Sequence, residues 1–140
     1  MSFREKSAWI TLLTILILLA FTVTHLPRPW TLAPTPGGFM FEVLTVAVIA
    51  FVVIEIIAHV AIAIWSPSDA RAPRDERDEL IALKATRIAA FVFVVLSFVS
   101  VFLIHLGANR FGVGYCVLLS FVFAEIVNYA ARIIYYRRGV

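Results

Sequence analysis

The stretch FVVIEIIAHVAIAIW (51–65) aligns without a gap on FVFAEIVNYAARIIY (121–135), later in the same chain. Glu55 and Glu125 occupy the same place in the two stretches. Both stretches are otherwise mostly apolar, and a charged side chain at the centre of a membrane-spanning helix costs about 2.5–3.5 kcal/mol on insertion scales. The alignment therefore predicts one helix built twice, with each glutamate turned toward a polar interior at a matched depth.

The composition excludes an ordinary soluble domain. The 140 residues are 62% hydrophobic and 15% charged, whereas soluble domains have about 45–50% apolar and about 25% charged residues. A helix needs roughly 20 apolar residues to cross a hydrocarbon core of about 30 Å. The sequence predicts an all-α polytopic membrane protein. Residues 1–140 are expected to form one domain, a four-transmembrane-helix bundle. Segment 107–114 is expected to be a tight turn between the third and fourth spans. The four apolar runs are 8–25, 39–65, 81–106 and 111–136.

The placement of basic residues predicts the orientation. Of the 12 Lys and Arg residues, only Arg28 and Arg110 fall in the first and third connections. Because Lys and Arg accumulate in short cytoplasmic loops, both termini and the middle connection are expected in the cytoplasm of a bacterium, with the spans in its inner membrane. The spans then form two parallel helical hairpins. The pI near 9.4 follows from this topology and from contact with the lipid bilayer, so no nucleic-acid partner is predicted.

Each span also carries one polar stripe when residues are placed at 100° intervals. These stripes are expected to face inward, because lipid cannot satisfy polar groups. The stripes comprise Ser7, Thr11, Thr14, Thr22 and His25 on the first span, Thr45, Glu55 and His59 on the second, Thr86, Ala90, Ser97 and Ser100 on the third, and Glu125, Asn128, Arg132 and Tyr135 on the fourth.

Glu55, His59, Glu125, Asn128 and Arg132 are the candidates for a buried polar or proton-handling site. Desolvation favours the neutral form of a carboxyl group, which would let either glutamate exchange a proton. Alternatively, Glu55 pairs with His59, and Glu125 pairs with Arg132 or with Arg87. Hydrogen bonding between packed helices is a third explanation of the same stripes.

The segment RDERDELIALKATRIAAF (74–91) leads into the third span. Asp75 can cap a helix, and the acidic residues after it suit the positive end of the helix dipole. The helix is expected to start near Asp75 and to run to His105, about 45 Å, so that its first turns project into the cytoplasm. They form a candidate interaction surface. Its residues are Asp75, Glu76, Arg77, Lys84 and Arg87.

The same segment resembles one found before the third span in a group of uncharacterised small bacterial four-helix integral membrane proteins, with a DER-x4-I-x2-KA-x-R type sequence. Asp75, Glu76, Arg77, Ile81, Lys84, Ala85 and Arg87 fit it approximately, with three residues rather than four between Arg77 and Ile81. REKSAWI (4–10) also resembles the start of such proteins. The resemblance implies a four-helix layout and a role in signalling or immunity, and it transfers no catalytic residues.

The sequence gives little support for a metal or cofactor site. His25 and His105 end the first and third spans on the outer side, and a pair of imidazoles can ligate b-type haem. Neither histidine has a second ligand one turn away, so no metal and no cofactor is predicted. Hydrolase, phosphate-binding, dinucleotide-binding and zinc-protease motifs are absent from the sequence, and an enzyme is therefore not expected.

The sequence thus predicts a non-enzymatic inner-membrane protein that acts through interaction or signalling, with a protein partner at the connection between the second and third spans. The alternative is a small proton-coupled transporter that uses Glu55 and Glu125, working as a homodimer because four helices enclose little volume. A haem protein that uses His25 and His105 is the third alternative.

Overall fold

The structure, a computed structural model, describes residues 3–25, 37–65, 67, 75–108 and 110–138, apart from the side chains of residues 25, 37–44, 110 and 111. Each of its 4 long helices is long and apolar enough to cross a membrane. The all-helical prediction is confirmed at this level. The helices are α1 (Phe3–His25), α2 (Gly37–Trp65), α3 (Glu76–Phe102) and α4 (Arg110–Arg138).

Helix α3 begins where the sequence predicted, with Asp75 as its N-cap in an extended conformation. The backbone N–H of Asp75 donates to the carboxylate of Asp78 at 3.4 Å, which is one half of a capping box. The acidic first turn of α3 also suits the positive end of the helix dipole.

The other end of α3 differs from the prediction. The α-helix ends at Phe102, and a 3-10 turn follows over Leu103–Leu106. Gly107, with φ of 86°, donates to the Ile104 carbonyl, and Ala108 donates to that of Leu103, both at 3.1 Å. This pair of bonds is a Schellman motif, which needs a left-handed residue and therefore favours glycine. Helix α4 starts at Arg110, so the turn is shorter than the predicted segment 107–114.

Neighbouring helices run antiparallel. Contacts of Ser7 with His59 and of Thr11 with Glu55 pair α1 with α2. The Phe93 and Phe121 rings meet edge to face at 6.2 Å between α3 and α4, and α1 packs on α4. Helices α1 and α4 therefore lie between α2 and α3, and the described residues of α2 and α3 make no extensive contact.

One end of the bundle is rich in basic residues, and we call it the basic end. It is formed by the start of α1, the start of α3 and the ends of α2 and α4. Arg4 forms an ion pair with Asp78, and Arg137 Nε lies 3.7 Å from Glu5 Oε1. These pairs connect α1 to both α3 and α4.

The buried face of α3 corrects one predicted stripe. Thr86 and Ala90 are exposed, whereas Ala85 and Ala89 are buried, so the predicted stripe is wrong in this half of the helix. In the other half, Ser100 and the Ser97 hydroxyl are buried as predicted. Alanines one turn apart let α4 approach closely. The large exposed apolar side chains of α2 and α3 suit contact with lipid.

Candidate functional site

A network of polar side chains joins α1 to α2. His59 Nε2 lies 2.8 Å from Ser7 Oγ, and its Nδ1 lies 2.8 Å from the backbone oxygen of Glu55 and 3.2 Å from Oε2 of the same residue. The hydroxyl of Thr11 donates to Glu55 Oε2 at 3.0 Å. The Glu55 side chain is 15% exposed, and its Oε1 is buried with no hydrogen-bond partner among the described residues. The predicted pairing of Glu55 with His59 is present.

The network continues onto α4 through Tyr129, whose phenol lies near Thr11 and interacts electrostatically with Glu55, Glu125 and Arg132. The guanidinium of Arg132 also lies over the Tyr129 ring, 5.1 Å from its centroid. Because Thr11 contacts both Glu55 and Tyr129, it links all three helices.

Three predicted residues of α4 form a bridge along one face. The amide nitrogen of Asn128 donates to Glu125 Oε2 at 3.2 Å, and its amide oxygen accepts from Arg132 Nε at 3.2 Å. Asn128 is buried, with 6% of its surface exposed. Glu125 and Arg132 are therefore linked through Asn128 rather than by direct contact. Arg87, the alternative partner of Glu125, is exposed.

The two glutamates border the same polar network. Thr11 donates to Glu55, and Tyr129 interacts electrostatically with both Glu55 and Glu125. The polar network therefore extends from Ser7, near the basic end, to Glu125 in the middle of α4. The equal depth of the two glutamates stays a prediction.

Beyond Glu125, polar contacts are sparse. Tyr115 donates to the Thr22 carbonyl at 3.3 Å, and the Ser100 and Ser120 hydroxyls lie 3.1 Å apart. Sequence reasoning missed Ser120, Tyr115 and Tyr129, although hydroxyls inside an apolar run are the signal that would have identified them. Ser97 Oγ is buried without a partner among the described residues.

The start of α3 forms a second candidate site at the basic end. Its inner side is fixed, because Asp78 pairs with Arg4 and Arg77 Nη2 donates to the Tyr136 carbonyl at 3.5 Å. Its outer side is exposed, and within the described residues no ion pair involves the charged groups on it. We call this side the α3 surface, and it consists of Glu76, Glu79, Leu80, Leu83, Lys84 and Arg87.

The predicted haem ligands are not brought into a described site. The His25 side chain lies outside the described residues, and His105 is exposed, with its ring 5.5 Å from that of Phe102. Among the side chains that the structure describes, no three His, Cys, Asp or Glu residues group as a metal site would require.

Comparison of the chain with models of protein families, with curated proteins and with solved structures finds no match. The resemblance of the segment 75–91 therefore stays a prediction.

The role of Thr11 leads to a prediction. Substitution Thr11→Val keeps the shape of the side chain but removes the hydroxyl that serves Glu55 and Tyr129, so we expect unfolding to become easier by about 1 kcal/mol. Thr14→Val is the matched control, because the buried Thr14 hydroxyl donates only to the carbonyl of Ile10 in its own helix, at 2.9 Å. Unfolding in mixed detergent micelles measures both variants. Equal effects of the two substitutions would contradict the linking role of Thr11.

Proposed function

We propose that the protein is a non-enzymatic protein of the bacterial inner membrane that acts by binding a cytoplasmic protein partner at the α3 surface. In this proposal both termini and the basic end are cytoplasmic, and the four spans form two parallel hairpins. The basic end carries Arg4, Arg77, Arg137 and Arg138, and this bias supports a cytoplasmic location by the positive-inside rule.

The observation that carries the proposal is the contrast between the two sides of the start of α3. The inner side is attached to α1 through Arg4 and to α4 through the Tyr136 carbonyl. This attachment holds the outer side in a fixed position, which reduces the entropy lost when a partner binds.

The α3 surface also has the composition of a recognition surface. Leu80 and Leu83 are 55% and 67% exposed, and they lie between the acidic pair Glu76 and Glu79 and the basic pair Lys84 and Arg87. A partner that covers the leucines and pairs with both charge types would be selected by charge pattern as well as by apolar area.

Site-specific photo-crosslinking in living cells tests the proposal. A photoreactive residue at position 79 or 83 of the full chain is expected to give a discrete adduct with another protein. The same residue at position 98 or 99, which is exposed on the apolar part of α3, is the matched control and is expected to give none. Equal adducts from both pairs of positions, or adducts that contain only a second copy of this chain, would refute the proposal.

Charge reversal tests the recognition step. Glu79→Lys is expected to reduce the adduct formed from position 83 at least tenfold, because it replaces an acidic group on the α3 surface. Arg138→Glu reverses an exposed charge elsewhere at the basic end and is expected to leave the adduct unchanged. A similar loss in both variants would show that the basic end as a whole, rather than the α3 surface, governs association.

A further inference from the structure

The hydrogen bonds of His59 define which ring nitrogen can gain and lose a proton. Nδ1 lies 2.8 Å from the backbone oxygen of Glu55, and a carbonyl oxygen can only accept, so Nδ1 carries a hydrogen. Nε2 faces the Ser7 hydroxyl at 2.8 Å, and a hydroxyl can either donate or accept. Nε2 is therefore the exchangeable position of the ring.

The buried Glu55 carboxylate needs a positively charged partner. Its Oε2 accepts from Thr11 and lies beside His59, whereas its Oε1 has no hydrogen-bond partner among the described residues. A buried carboxylate with an unsatisfied oxygen is costly unless a cation compensates its charge.

The elements packed around Glu55 supply few candidates for that cation. Helix α1 faces the site with the hydroxyls of Ser7 and Thr11. Of the charged residues at the start of α1, Arg4 and Glu5 pair with Asp78 and Arg137, and Lys6 forms no ion pair with a described residue. Helix α4 brings Tyr129 near Glu55, and Arg132 is linked through Asn128 to Glu125. Among the described contacts of Glu55, His59 is the group that can become positive.

The site lies on the side of the bundle nearer the basic end. Ser7 lies about 6 Å from the first residue of α1, and the His59 side chain is 37% exposed. Beyond Glu125, the described side chains include no Asp, Glu, Lys or Arg within the bundle, and His105 lies at the far end of α3. A proton can therefore reach Nε2 past Ser7, whereas the described side chains include no acidic or basic group that continues the network from Glu125 toward the opposite end.

We propose that Glu55 and His59 form a proton-binding site that exchanges protons only with the aqueous phase at the basic end. Water at that end supplies the proton, which adds to His59 Nε2, and the resulting imidazolium compensates the Glu55 carboxylate. The bound form donates from Nε2 to Ser7, and the unbound form accepts from Ser7. This site does not depend on the α3 surface, and it differs from a carrier because the proton leaves by the side from which it entered.

Solid-state NMR of the full-length protein in lipid vesicles, with ¹⁵N-labelled histidine, tests the site. The His59 signals, assigned by their loss in His59→Gln, are expected to show Nε2 titrating while Nδ1 stays protonated. Glu55→Gln is expected to change the midpoint of the Nε2 signal, because it removes the carboxylate that holds the imidazolium. Glu79→Gln makes the same chemical change at an exposed position and is expected to leave the midpoint unchanged.

Several results would overturn the proposal. They are an Nδ1 that loses its hydrogen in the unbound form, a His59 that does not titrate while the protein stays folded, and a midpoint that is unchanged in Glu55→Gln. The first two are read from the wild-type protein, so the test survives if Glu55→Gln does not fold. Access is tested in vesicles of uniform orientation, in which His59 is expected to respond only to the pH on the side of the basic end. Proton flux above that of empty vesicles would refute the one-sided site and favour a carrier.

Discussion

Substitution Ala85→Leu is expected to lower the free energy of unfolding by about 1–3 kcal/mol and to separate α3 from α4 locally. Ala85 is 0% exposed and lies on the face of α3 that contacts α4. Adding three carbon atoms to a packed helix interface forces either side-chain strain or displacement of the backbone, and both cost free energy. Unfolding in mixed micelles measures the loss, and crosslinking between cysteines placed at positions 93 and 121 measures the separation.

The chain offers a close control for this substitution. Ala90 lies on the same helix and is exposed, so Ala90→Leu adds the same atoms where lipid or detergent can accommodate them. We expect Ala90→Leu to leave both the unfolding free energy and the crosslinking yield unchanged. If Ala90→Leu destabilised the protein as much as Ala85→Leu does, the assignment of the α3 face that packs on α4 would be wrong.

The same two alanines show why the sequence predicted α3 only in part. Its start at Asp75 and its apolar length were predictable, because capping residues and long apolar runs act locally. The face that α3 buries was not, because the predicted stripe used hydroxyl groups as its marker. In the structure the buried face is defined mainly by small side chains, Ala85 and Ala89, and it also includes Ile81 and Ser100. A stripe of alanines in an apolar helix has almost no contrast with its surroundings, so its direction depends on the packing partner.

The polar residues on one face of α4 were predicted correctly, but the contacts that join them to α1 and α2 were not. Glu125, Asn128 and Arg132 are three and four residues apart, and residues at this spacing meet on one face of any helix. Whether Asn128 bridges the other two depends on side-chain geometry that spacing alone does not specify.

The joint role of Thr11 could not be predicted from one helix. Thr11 contacts Glu55 on α2 and Tyr129 on α4, which requires knowing that α1 lies between those helices and at which register. The alignment of 51–65 on 121–135 suggested equal heights for Glu55 and Glu125, because it compared two helices that do not pack extensively on each other.

Substitution Asn128→Leu is expected to be the most destabilising single change in the polar network, at about 2–3 kcal/mol. Leucine has the same branched skeleton of four side-chain heavy atoms, so the main loss is of the two hydrogen bonds to Glu125 and Arg132. Each charged group then keeps its charge but loses a partner, and an unsatisfied buried group costs about 1–3 kcal/mol. Equilibrium unfolding in mixed micelles at neutral pH measures the effect.

A double-mutant cycle separates the bridge from simple packing. Glu125→Gln removes the charge that Asn128 serves, so Asn128→Leu made in the Glu125→Gln protein should cost less than in the native protein, with a coupling of about 0.5–3 kcal/mol. Ser120→Ala combined with Asn128→Leu is the control, because Ser120 bonds to Ser100 and to the Cys116 carbonyl instead. These two changes are expected to add independently. If Asn128→Leu cost the same in the native and Glu125→Gln proteins, Asn128 would contribute through packing alone.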